Sequence, residues 1–133
     1  MGKTGYSLNR DLPDTDYETA IERVTARLAD EGFGVLTEID VRETLKKKLD
    51  VDFRRYVILG ACNPQFAHRA LEAEPEIGVL LPCNVVVAER AAGGSTVMAM
   101  DPAAVFTLIG NPEIEPVGGE VRERIRRVLD RLP

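Results

Sequence analysis

The amino-acid sequence predicts an α+β domain in which helices pack on one face of a mixed, mainly antiparallel sheet. Three observations lead there. The apolar period switches repeatedly between two and 3.6 residues, in the order β-α-β-α-β-α-β-β-α-α. The last two strands are separated by Ala92-Gly93-Gly94-Ser95, a turn short enough for a hairpin. The first strand lacks the glycine-rich phosphate turn that follows it in a doubly wound parallel sheet. No repeat or linker divides the 133 residues, so 1–133 reads as one domain. With 44% hydrophobic and 29% charged residues, it has apolar matter for a single core.

Each element has a local reason. Gly5 to Arg10 alternates, with Tyr6 and Leu8 on one side and Ser7 and Asn9 on the other, and reads as a short strand. Thr15-Asp16-Tyr17-Glu18 is a capping box opening a helix whose stripe is Tyr17, Ala20, Ile21, Val24 and Leu28, stopped at Gly32. Phe33 to Ile39 alternates again as a strand. Asp40 and Glu43 form a second capping box, ahead of a short helix ending in Lys46-Lys47-Lys48, cations that complement the helix dipole. Arg55 to Gly60 reads as a buried strand leading into a helix with Asn63 as N-cap and Pro64 at the first position. Glu74-Pro75 ends that helix. Gly78 to Glu89 reads as a strand broken at Pro82, and Thr96 to Met100 as its hairpin partner. Asp101-Pro102 opens a short helix closed by Gly110-Asn111-Pro112. Gly118-Gly119 reads as a flexible lead-in to a last helix over Glu120 to Leu132, with Val121, Ile125, Val128, Leu129 and Leu132 on one face.

Composition narrows the function. Seventeen basic against 22 acidic side chains leave a formal charge of −5, which opposes the many phosphate contacts of broad nucleic-acid binding. The longest nearly apolar run, Ile77 to Ala88, is broken by Pro82 and Asn84 and falls short of the ~20 residues of a membrane span. Met1-Gly2-Lys3-Thr4 has no apolar run of a secretory signal, and a cytoplasmic protein is expected. Gly2-Lys3-Thr4 also lacks the upstream glycine and strand of a phosphate loop. Ser7 and Ser95 stand in no Gly-x-Ser-x-Gly elbow. Two cysteines in such a compartment are expected as free thiols. With one histidine besides, a single chain cannot supply the four Cys/His ligands of a zinc finger or ribbon.

The constellation hardest to explain by folding alone is a pair of Cys-Asn dipeptides, Cys62-Asn63-Pro64 and Pro82-Cys83-Asn84, each in or beside an apolar strand. Pro82 removes a ladder donor and Asn84 has poor strand propensity. Cys62, just before an N-cap, is placed to feel the positive end of the helix dipole, which favours thiolate. His68 and Glu72 share a helix face four residues apart. Cys62, Asn63, His68, Cys83 and Asn84 are therefore the candidate ligand-binding residues. Three readings stay open. Cys62, Cys83 and His68 could hold zinc or copper with Glu72 orienting the imidazole; Cys62 could be a redox thiol resolved by Cys83; or both cysteines could be structural.

From Gly32 to Pro102 the chain resembles the domain-of-unknown-function 302 family. The resemblance rests on Gly32-Phe33-Gly34-Val35, Ile39-Asp40-Val41, Thr44 to Leu49, Tyr56 to Pro64, Ala67-His68 with Ala70-Leu71, Pro75 to Gly78, Leu81 to Val85 and Asp101-Pro102. It implies a compact α+β domain similar to one half of the TATA-binding protein, often homodimeric, with no assigned activity. Likeness of fold to a DNA-binding protein does not imply DNA binding. Residues and resemblance together lead to the expectation of a small cytoplasmic, homodimeric binding or accessory protein with a Cys/His pocket for a metal or small ligand. The alternatives are a thiol-dependent redox enzyme using Cys62 and Cys83, or a purely structural interaction module.

Overall fold

Five strands make one sheet in the order β1-β5-β4-β3-β2, and every neighbouring pair is antiparallel. The computed structural model describes residues 3–133; Met1 and Gly2, and with them part of the N-terminal reading, lie outside the described residues. The elements are β1 (Ser7–Leu12), α1 (Tyr17–Asp30), β2 (Gly34–Asp40), α2 (Val41–Leu49), β3 (Tyr56–Cys62), α3 (Pro64–Ala73), β4 (Cys83–Glu89), β5 (Ser95–Met100), α4 (Pro102–Phe106) and α5 (Glu115–Asp130). Short 3-10 turns occupy Pro75–Leu80 and Thr107–Ile109. The α+β class and the element order are as the periodicity predicts. No described helix is long and apolar enough to cross a membrane.

Alternation along the strands builds the core. Val57, Leu59 and Ala61 of β3 stand beside Val87, Val85 and Cys83 of β4 on the helix-covered face, and all are buried. Across them α1 contributes Ala20, Val24 and Leu28, and α5 contributes Val117, Val121, Ile125 and Val128. Glu31, just past α1, is buried too and accepts two hydrogen bonds on Oε1 from Arg127, at 3.0 and 2.8 Å. That contact fastens the end of α1 to α5.

Several boundaries differ from the sequence reading, β1 among them at Ser7–Leu12 in place of Gly5 to Arg10, and four differences have a clear physical reason. The cap of α1 is Asp16, accepting from the Thr19 N–H at 2.8 Å. Thr15 is held one step earlier, its N–H in a turn on Leu12 and its carbonyl accepting from Ser95. Strand β3 runs on to Cys62 because β2 pairs with it as far as Gly34 opposite Cys62. Val79, Leu80 and Leu81 lie outside the strand: Pro75 starts a 3-10 turn that buries Ile77 and leaves Val79 88% exposed. The Leu81–Pro82 peptide is cis, and β4 begins only after Pro82, so the missing N–H costs the ladder nothing. Finally, α5 starts at Glu115, well before Glu120, and contains Gly118-Gly119. A Cβ on Gly118 would lie 3.1 Å from the Pro102 carbonyl oxygen and 3.2 Å from the Phe106 ring, so glycine there permits the close crossing of α4 and α5.

Candidate functional site

The ends of β3 and β4, the start of α3 and the early part of α5 enclose a cavity of about 370 Å³. Its position follows from local chemistry. Asn63 ends β3 in extended conformation and caps α3, its Oδ1 accepting from the Phe66 N–H at 3.5 Å, while Pro64 supplies the first helical φ. The chain thus leaves the sheet at Asn63 and enters α3, whose Phe66 and Ala70 are buried. Strand β2 shifts register between Val35 and Thr37 at the same level, the mark of a bulge in this edge strand. Phe33, Phe66, Phe106, Val117 and Val121 are among its large side chains, and the lining is overwhelmingly apolar.

Of the five candidate residues, the fold brings three together. Cys62, Asn63 and Cys83 all line this cavity. Cys83 is buried and Cys62 half-buried, and both are free thiols. Burial, with the electrostatic influence of nearby Cys62 second, pushes the Cys83 thiol up to about 11, so it stays protonated at neutral pH. Asn63 uses both ends of its amide inside the protein, since its Nδ2 donates to the Glu31 carbonyl at 3.3 Å.

His68 and Asn84 lie elsewhere. His68 sits on the outer face of α3, its side chain 76% exposed, with Nε2 3.1 Å from Glu72 Oε1. The helical pairing with Glu72 is present, but it points away from the sulfurs' cavity lining. Asn84 is exposed opposite Gly60, on the sheet face away from the helices, because strand alternation turns it from its neighbour Cys83. The three-ligand set of Cys62, Cys83 and His68 is therefore not assembled. Among the described residues no group of three His, Cys, Asp or Glu side chains is placed to hold a metal.

Sequence reasoning missed the aromatic and aliphatic wall. Phe33, Phe106, Val117 and Val121 carry the same apolar signal as any core position, so only the folded geometry separates cavity lining from packed core. Gly60 was read simply as the end of a strand. A Cβ at Gly60 would run into Thr37 Oγ1 and the Pro82 ring, so glycine is what lets β2 and the Pro82 segment close over β3.

Comparison with known proteins agrees with this architecture. The family model described as "Domain of unknown function DUF302" matches residues 8–132. A crystal structure of an uncharacterized conserved DUF302 protein from Bacillus stearothermophilus is 32% identical in sequence, with a TM-score of 0.88 over 96% of this chain and 98% of that one. No curated protein matches the chain. A match over nearly the whole length, with the same fold at this identity, establishes that the chain belongs to the domain-of-unknown-function 302 family.

Proposed function

We propose that this is a cytoplasmic binding or accessory protein whose cavity takes a compact, mainly apolar small molecule. The observation that carries the reading is the cavity itself. Its volume of about 370 Å³ falls in the range of small-molecule sites, roughly 300–1,000 Å³, and its lining offers apolar contact with few polar atoms. A ligand there gains by leaving water, at about 0.8 kcal/mol for each methylene buried. Two cysteines kept as free thiols suit a reducing compartment. The redox-enzyme alternative is weakened because Cys83, held as a thiol by its surroundings, is a poor partner for rapid exchange.

The test is a series of straight-chain alcohols, from butan-1-ol to octan-1-ol, followed by chemical shifts of the Val117 and Val121 methyl groups. Affinity is expected to rise about fourfold per added methylene, the factor that 0.8 kcal/mol gives. Ala67→Phe, which fills the mouth from a half-buried position on α3, should weaken octan-1-ol by at least about tenfold. Shifts that do not depend on chain length, or binding indifferent to Ala67→Phe, would sink the reading.

A second reading, homodimer formation, draws on a different surface. On the sheet face away from α1 and α5, Ile39, Ile58, Val86 and Met98 stand side by side across four strands. We infer that a second copy of the chain covers this row.

A further inference from the structure

We propose that Cys62 and Cys83 form a two-thiolate site for a soft monovalent cation with a filled d shell, Cu(I) being the ion it suits best. The chain path brings their backbones close together. Cys83 pairs with Ala61 across the β3–β4 ladder, so Cys62 is one residue from direct opposition. Ladder geometry then sets the two Cα atoms ~6 Å apart. Strand alternation alone would send neighbouring side chains to opposite faces. Cys62, however, is the last residue of β3, where the chain swings into the α3 cap, and both residues line one cavity.

The surroundings decide the coordination number. His68 is exposed on the far side of α3, and among the described residues no third His, Cys, Asp or Glu joins the two sulfurs. The Asn63 amide, the polar side chain beside them, is committed to Phe66 and Glu31. Zinc wants four such ligands, and magnesium or calcium wants six or more oxygens, so two sulfurs in an apolar wall satisfy neither. Soft thiolates select Cu(I), which accepts two-fold coordination without water. Binding replaces two thiol protons with one cation. The resulting single negative charge is far less costly in an apolar site than two unpaired thiolates.

This site stands on the sulfur pair, which shares the cavity wall with the apolar occupant proposed above. The experiment is anaerobic titration of the reduced full-length protein with Cu(I), in competition with bathocuproine disulfonate. One Cu(I) per chain is expected. Cys62→Ser and Cys83→Ala should each weaken binding by about a hundredfold or more, while His68→Ala leaves it unchanged. Retention of tight binding by either cysteine variant, or loss on His68→Ala, overturns the proposal. Should Cys83→Ala fail to fold, copper-edge X-ray absorption on the loaded wild-type protein decides. Two sulfur neighbours support the site; a nitrogen or oxygen neighbour, or three sulfurs shared between copies, overturns it. Alcohol binding by a wild-type chain that takes up no Cu(I) would sink this site and leave the apolar reading standing.

Discussion

Gly60 is where β2 and the Pro82 segment converge on β3. The strand around it, Tyr56 to Cys62, is otherwise filled by side chains that pack on one face or the other, and nothing in the sequence distinguishes Gly60 from a strand terminus. The packing shows why a side chain is excluded: the side chains of Thr37, just past the β2 bulge, and Pro82, just before β4, converge over it. Gly60→Ala should therefore destabilise the protein, although alanine has the better conformational entropy at an ordinary backbone position. Forcing a methyl into such a contact costs about 1–3 kcal/mol. Urea denaturation measures it, and an unchanged or higher midpoint would show that Thr37 simply rotates away. The two cysteines teach a related lesson. Their suspicious environments were legible as broken strand rules, and the fold does bring Cys62 and Cys83 to one cavity. Asn84, marked by the same rule, follows strand alternation to the opposite face. Sequence showed that the local rule was broken, but the face on which each side chain emerges depended on register.

Among the elements, those opened by a polar cap were the most legible. Asp40, Asn63 and Asp101 each accept from the backbone two to three residues on, where the sequence pattern placed them. Element starts fixed by tertiary contact were not legible, and α5 is the clearest instance. Its first turns contain Gly118-Gly119, poor helix formers that read as a loop until α4 is seen lying against them. The junction of α1 with α5 is likewise a tertiary construction, and it makes the pair sensitive to acid. Hydrogen bonds from Arg127 hold the Glu31 carboxyl below its ordinary range, with the charges of Arg127, Arg131 and Arg124 assisting and burial opposing. A carboxyl whose folded-state pKa is depressed contributes stability that is fully present above its unfolded value, near 4.5, and is lost as pH falls through the lower folded one. Glu31→Gln should thus lower the urea midpoint at pH 7, and the gap to wild type should close as pH drops below about 4.5. A gap that stays constant over that interval would mean that Glu31 acts through packing alone.

At the scale of the molecule, helices cover one face of the sheet and leave a row of aliphatic side chains across the other. Register fixes that row as Ile39, Ile58, Val86 and Met98, with Met100 and Tyr56 in adjoining rows on the same face. Ile39 is 48% exposed and the others partly exposed in the isolated chain. Charged residues on this face are confined to its margin, where Asp11 pairs with Thr96 at 2.7 Å. Such a surface is self-complementary by default, since apolar rows meet without matching charges. Five strands spaced ~4.8 Å apart and six residues long present about 500 Å² in projection, so two copies face to face bury about 1,000 Å², near the lower limit of a specific interface. The expected solution species is therefore a dimer that dissociates on dilution, at twice the 14.6 kDa of one chain. Ile58→Asp puts an unpaired carboxylate in the middle of the row without entering the helix-side core, so it should yield a folded monomer. Light scattering across a concentration series, with circular dichroism to verify folding, measures both. A wild-type chain that stays monomeric at hundreds of micromolar, or an Ile58→Asp variant that still dimerises, would place the contact elsewhere. The cavity opens at the end of the sheet among α3, α4 and α5, on the layer opposite this face, so its occupancy and the dimer should titrate independently.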